Sequence, residues 1–303
     1  MKVINYTKDL KLDNLVATIG AYDGIHQGHK KIFTVLNNTG NYKKAIITFN
    51  IHPDIALHKS NNDGVLNTLN EKIDIFEKYN IDYLIIFDIL SNEFNVLTLD
   101  PYSFNKLLKN LGVKKVVVGE DFVYGLNKSG NIKTLNEDFE VVSVPLVKPD
   151  NYIQTNDKLS SNKIREYLKN GDLEGLFSYT GEYFKICERV TEGKKLGSKL
   201  GFPTANIPLK YTKMKFGVYY VKVQIDGKIY NGVANVGNNP TTDVDIKPLV
   251  EVNIFDFNKD IYHKEIIVSF IEYIRTQIKF ENLNSLKEQI NKDVNYIKQK
   301  YNI

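Results

Sequence analysis

The chain has 303 residues, of which 42% are hydrophobic and 25% charged, with a net charge of +4. That composition excludes a disordered chain, and so weak a charge argues against a nucleic-acid coat. No run approaches the roughly 18 apolar residues of a membrane span, and no apolar signal core opens the chain, so a cytoplasmic protein with no nucleic-acid or membrane partner is expected.

Residues 15–19 read as a buried strand. The stretch 19–29 (IGAYDGIHQGH) then breaks through three glycines into 30–36, which reads as the first turns of a helix. A strand that turns into a helix this way leaves backbone N–H groups free for an anion, and His26 and His29 stand at that edge. Residues 44–49 are a second strand, ending at the His52-Pro53 corner. In 69–79, residues 69, 73 and 76 share a helix face. Residues 82–87 are a third strand. Asp100-Pro101 opens a helix through an Asp cap and a first-turn proline. Residues 115–119 and 140–144 complete five strands. Near-continuous Val/Ile runs alternating with helices indicate a parallel sheet covered on both faces. Its ligand is expected off the carboxyl ends of the strands, where His26/His29, His52-Pro53 and 119–125 (GEDFVYG) all fall. There is no GxGxxG fingerprint and no P-loop motif. Two histidines three residues apart make only half a metal-ligand set, and the single Cys187 allows neither an intrachain disulfide nor a cysteine zinc site.

Residues 159–170 read as a helix capped by Ser160 or Ser161 and ended at Asn170-Gly171. Its hydroxyls, Lys163 and Arg165 suit a polyphosphate, and they equally suit a solvated, well-capped helix. Beyond residue 181 alternation replaces the helical pattern, which divides the chain into 1–181 and 182–303. Residues 221–233 are a hairpin about Asp226-Gly227, and 249–255 and 265–270 are further strands. Short antiparallel strands without intervening helices suggest a small β-barrel. The terminal helix carries an apolar stripe of Leu283, Leu286, Ile290, Val294 and Ile297, expected to pack on the barrel. The flap 193–206 (GKKLGSKLGFPTAN) can fold over phosphates. Glu251 interrupts an apolar strand and faces either the core, where a carboxylate needs partners or a task, or solvent.

These segments carry a resemblance. GAYDGIHQGH, VVVGEDFVYG and LSSNKIR resemble the GxFDGxHxGH, VGxDFxFG and ISSTxxR motifs of the FMN adenylyltransferase module of bacterial FAD synthetases, over about 1–180. GSKLGFPTAN, GVYYVKVQIDGKIYNGVANVGNNPT and VEVNIFDF resemble the riboflavin kinase barrel, over about 182–300. The resemblance implies a Rossmann-like nucleotidylyltransferase sheet followed by a kinase barrel. It implies riboflavin, FMN and FAD as substrate, intermediate and product, with ATP as the second substrate and Mg²⁺ as cofactor. His26 and His29 would stabilise the α-phosphate, with Gly20, Tyr22, Asp23, Gly28, Ser160, Ser161 and Arg165 holding ATP. His52, Pro53, Asp121 and Phe122 would hold FMN. In the kinase, Gly197, Lys199, Gly201 and Pro203 would hold ATP, Thr204 and Asn206 the metal, and Glu251 would be the general base. The chain departs from the family patterns at Ile51, Asn162, Ser198, Asn239, His263 and Gln277. Two alternatives stay open: an adenylyltransferase whose barrel binds flavin without phosphorylating it, and a flavin-binding regulator or carrier without turnover. The sequence leaves the oligomeric state open.

Overall fold

The computed structural model describes residues 1–53, 64–89, 99–147, 159–193, 197, 201–209, 214–238 and 248–303. Its contacts group into two compact units, Met1–Ser161 and Asn162–Ile303. Lys199, and with it Ser198 and Asn239, lies outside the described residues.

In the first unit, six parallel strands run in the order β1-β4-β3-β2-β5-β8. They are β1 (Lys2–Asn5), β2 (Leu15–Ile19), β3 (Lys43–Phe49), β4 (Tyr83–Phe87), β5 (Val113–Gly119) and β8 (Glu140–Val144). A two-residue pair, β6 (Val123–Tyr124) with β7 (Gly130–Asn131), stands apart from that sheet. The edge strand β1 adds a sixth member to the five expected. It is largely exposed, so it carries no apolar run that would announce it.

Among the described residues the first unit's α-helices are α1 (Gln27–Asn37), α2 (Leu69–Glu77), α3 (Pro101–Leu111) and the short α4 (Ile132–Asn136). Alternate residues of β2 serve opposite cores. Leu15, Ala17 and Ile19 pack with Phe104, Leu107 and Leu108 of α3, while Val16 packs with Phe33 and Leu36 of α1 and Phe76 of α2. Burial on both faces explains the unbroken apolar runs. Asp100 caps α3 by accepting from the N–H groups of Tyr102 and Ser103, and Gly112 ends it in the left-handed region. Successive strands step from β2 through β3 to β4 on one side. The chain then crosses to β5 on the other, so the switch in strand order falls between β2 and β5.

The second unit begins with α5 (Ser161–Asn170, whose first residue closes the first unit) and α6 (Leu173–Thr180). It continues as an antiparallel sheet in the order β10-β13-β12-β11-β14-β9. These are β9 (Phe184–Arg189), β10 (Thr204–Pro208), β11 (Gly217–Ile225), β12 (Lys228–Asn238), β13 (Pro248–Ile254) and β14 (Glu265–Arg275). A bridge between Thr191 and Asn206 joins the two ends of the sheet and curls it towards a barrel.

The terminal helix α7 (Leu283–Tyr301) divides its stripe. Ile297 and Val294 pack with Val218 and Tyr220 of β11, Leu286 and Ile290 line a cavity, and Leu283 is exposed. The stripe therefore packs on the sheet only along its later turns, because the earlier turns stand over an opening rather than a strand. The contact division falls earlier than the 181/182 boundary read from sequence patterning, since α6 packs on β14 and β9.

Phe76 is fully buried and meets both Tyr22 and Phe33 edge-on. Phe76→Ala is expected to lower the unfolding free energy of the first unit by about 3–5 kcal/mol in urea denaturation, the usual result of emptying an aromatic core site.

Candidate active sites

At the switch between β2 and β5, a cavity of about 310 Å³ opens at the carboxyl ends of the strands. Gly20, Tyr22, Asp23 and His26 line it from the loop after β2, and Gly28 and His29 from the first turn of α1. His52, Asp121, Phe122, Ser160 and Ser161 complete its wall. Pro53 is not among the lining residues. Arg165 lies on α5 in the second unit, where it is buried.

The loop is shaped by a few close fits. Tyr22 takes a left-handed φ of 48° and folds its ring back, and its hydroxyl pairs with Thr18 Oγ1 at 2.7 Å. A Cβ on Gly20 would sit 2.9 Å from that ring, so glycine is required there. Asp23 is buried, and its Oδ1 accepts from the N–H groups of Leu66 (2.8 Å) and Asn67 (3.1 Å). Its backbone carbonyl accepts from the Ser161 hydroxyl at 2.5 Å. Asp23 therefore ties the loop to the segment before α2 and to Ser161.

His26 and His29 stand at the start of α1 with their rings stacked, centroids 3.8 Å apart. Nδ1 of each is buried and has no hydrogen-bond partner among the described residues. Burial pushes the His26 pKa down to about 4, with Asp121 opposing and Lys30 adding to the effect. Burial also holds His29 well below the ordinary value of 6.5, helped by His26 and Lys72. Both imidazoles are neutral near pH 7.

Lys72 has no place in the sequence reading, yet its side chain reaches this loop. It is 5% exposed, and its Nζ donates to the Ala21 carbonyl at 2.7 Å. The signal was a lysine at 72 on the apolar face made by residues 69, 73 and 76.

A second cavity, of about 550 Å³, lies within the second unit and is lined by Gly197, Thr204 and Glu251 among others. One face of three adjacent strands supplies Thr204, Asn235, Glu251 and Asn253 to its lining. Glu251 is opposite Asn206 on one side and Asn235 on the other, and Thr204 is opposite Asn253. Glu251 is half-buried and turned to this cavity, while Val250 and Val252 fill the core behind it. Alternation on β13 thus sends the carboxylate away from the core.

A relay leads to Glu251. The Gln277 Nε2 donates to Asn235 Oδ1 at 3.0 Å, and Asn235 Nδ2 donates to Glu251 Oε2 at 3.3 Å. Asn206 is buried, and a Cβ on Gly193 would overlap its amide. A Cβ on Gly197 would overlap the Phe202 carbonyl, so both glycines let the flap backbone lie against β10. Gly201 and Pro203 stand outside the lining, although the Pro203 carbonyl accepts from Asn253 at 2.8 Å. Arg275 grips Asp293 with Nε and Nη2, at 2.7–3.1 Å, and so fixes α7 beside the cavity. His263 adopts a left-handed φ of 62° in the turn before β14, and its N–H donates to Val190. A glycine suits that backbone and histidine tolerates it.

Two family models match the chain: FAD synthetase over residues 8–163 and riboflavin kinase over 180–301. A bifunctional riboflavin kinase/FMN adenylyltransferase of Buchnera aphidicola is 35% identical over the whole of both chains. The chain belongs to the bifunctional riboflavin kinase/FMN adenylyltransferase family. The Haemophilus influenzae member is 35% identical over 96% of each chain. A crystal structure titled macrolide-efflux protein, from Streptococcus pneumoniae, shares the fold at a TM-score of 0.81, with 29% identity over 97% of both chains. Among the described residues no helix is long and apolar enough to cross a membrane.

The depressed His26 pKa has a consequence for stability. Between about pH 6.5 and 4 the unfolded chain binds a proton at His26 that the folded chain refuses, so stability falls as pH falls through that window. His26→Asn is expected to recover about 2–3 kcal/mol of the stability lost between pH 7.5 and 4.5, read from urea unfolding at the two values.

Proposed function

We propose that the chain phosphorylates riboflavin with ATP in its second unit and adenylylates the resulting FMN with another ATP in its first unit, releasing pyrophosphate. One observation carries this reading: both family models match one chain, in order, and relatives named for both activities align along its whole length.

In the first cavity the FMN phosphate would attack the α-phosphorus of ATP. The new P–O bond forms as the α–β bridging bond breaks. FMN phosphate is already anionic, so this step needs alignment and charge neutralisation rather than a strong base. Neutral His26 and His29 can each offer one ring N–H to the α-phosphate without adding charge to each other. The start of α1 adds backbone N–H groups and the positive end of its dipole. Ser160 and Ser161, which line the cavity, would hold the departing phosphates. Assigning Arg165 to that end rests on the motif alone.

In the second cavity Glu251 would take the proton from the ribityl 5′-hydroxyl as its oxygen attacks the γ-phosphorus, and ADP leaves. Thr204 and Asn206, two residues apart on β10 and on the face that carries Glu251, offer the neutral oxygen donors that suit Mg²⁺. Among the described residues no cluster of three His, Cys, Asp or Glu forms a cage, which fits an ion that arrives with its nucleotide. When bound there, Mg²⁺ would neutralise charge on the ATP phosphates.

Incubating the protein with riboflavin, ATP and Mg²⁺ and separating the flavins by chromatography tests this reading. FMN followed by FAD is expected. FAD formed only when FMN is supplied would reject the kinase, and no product from either flavin would reject both steps. Glu251→Ala should abolish FMN formation yet leave FMN-to-FAD conversion intact. Gln277→Leu, which frees Asn235 to turn, should slow FMN formation about threefold to tenfold by loosening the carboxylate.

A further inference from the structure

Lys72 is a buried cation at a loop built for an anion. The apolar face of α2 carries it inward together with Leu69, Ile73 and Phe76. Among the described residues its Nζ has a single hydrogen-bond acceptor, the Ala21 carbonyl, and no carboxylate within ion-pair distance. Burial lowers the Lys72 pKa, and the nearby Asp23 carboxylate, whose Oδ1 accepts from two backbone N–H groups, opposes that only in part. From β3, Thr48 only adds a long bond, 3.4 Å, to the same carbonyl, and from α1 the neighbour is neutral His29. A buried ammonium so poorly compensated costs several kcal/mol unless something else neutralises it.

The peptide that Lys72 holds points to what that is. In a trans peptide the C=O and the N–H lie on opposite sides. The Ala21 carbonyl faces Lys72, so the Tyr22 N–H of the same peptide faces away from it. That N–H has no hydrogen-bond partner among the described residues, and Tyr22 is 3% exposed and lines the cavity. An ammonium bonded to the carbonyl polarises the whole peptide and strengthens its N–H as a donor.

We propose that Lys72 is a positioning residue for adenylyl transfer: it orients and polarises the Ala21–Tyr22 peptide so that the Tyr22 N–H binds the transferring phosphate, and its own charge is neutralised by that phosphate. The two histidines being neutral, Lys72 brings positive charge to this side of the pocket from beneath the loop. The inference rests on the adenylyltransferase reading of this cavity.

The test uses the full-length chain. Lys72→Met is expected to lower kcat for FAD formation from FMN about 100-fold, the usual effect of losing one preorganised donor. KM for FMN should change little, riboflavin phosphorylation in the other unit should persist, and His29 should titrate at higher pH by NMR. A folded Lys72→Met protein that makes FAD within about threefold of the parent rate would overturn the inference. A parent protein that makes no FAD from FMN would instead overturn the reading beneath it. Should the variant fail to fold, the parent protein decides. Adding the non-reacting analogue α,β-methylene-ATP should move the Tyr22 amide proton downfield in the NMR spectrum, and an unmoved resonance would refute the proposal.

Discussion

The first unit depends on how the chain turns after β2. Four residues, Gly20 to Asp23, must leave a buried strand, present polar backbone to a cavity and start a helix within a few positions. The turn is held from three directions: the Tyr22 hydroxyl on Thr18, the Lys72 ammonium on the Ala21 carbonyl, and Asp23 on the Leu66 and Asn67 amides. Each contact satisfies a buried polar group that would otherwise be costly, and each constrains the loop that carries His26 and His29. Gly20 and Gly28 make room for the folded-back Tyr22 and His26 rings. With the turn in place, the two imidazoles stack over the start of α1 and are kept neutral by burial.

The second unit solves a similar problem with a sheet. Alternation on β10, β12 and β13 gives Ala205, Val236, Val250 and Val252 to the core and turns Thr204, Asn235, Glu251 and Asn253 to a cavity, with Asn206 buried beside Glu251 on that same face. Antiparallel pairing brings these side chains from distant parts of the sequence into direct opposition. The Arg275–Asp293 pair then anchors α7, which contributes Leu286 and Ile290 as an apolar wall. A cavity with a carboxylate at one side and an apolar wall at the other can take an amphipathic substrate. The relay from Gln277 through Asn235 shows how one departure from the family pattern is accommodated. An amide at 277 donates to Asn235 Oδ1, which leaves Asn235 Nδ2 to donate to the carboxylate.

Much of this was legible before the structure. The apolar runs of β2, β3, β4 and β5, the Asp100-Pro101 start of α3 and the Asp226-Gly227 hairpin are all local signals, because propensity, capping and turn chemistry act over a few residues. The edge strand β1 escaped notice because exposure removed its apolar signature. Lys72 escaped because a lysine on a helix face ordinarily extends to solvent, and only the packing of α2 against the loop after β2 carries its head group inside.

By itself the sequence determined the parallel character of the first sheet, the antiparallel character of the second, and the family motifs they carry. These follow from periodicity and from short segments whose chemistry is local. Only the tertiary structure decided which way Glu251 faces, which amides bond to Asp23 Oδ1, and which cation lies beneath the histidine loop. Those outcomes depend on contacts between residues about 15 to 50 positions apart. Burial and hydrogen-bond satisfaction, rather than local propensity, select among them.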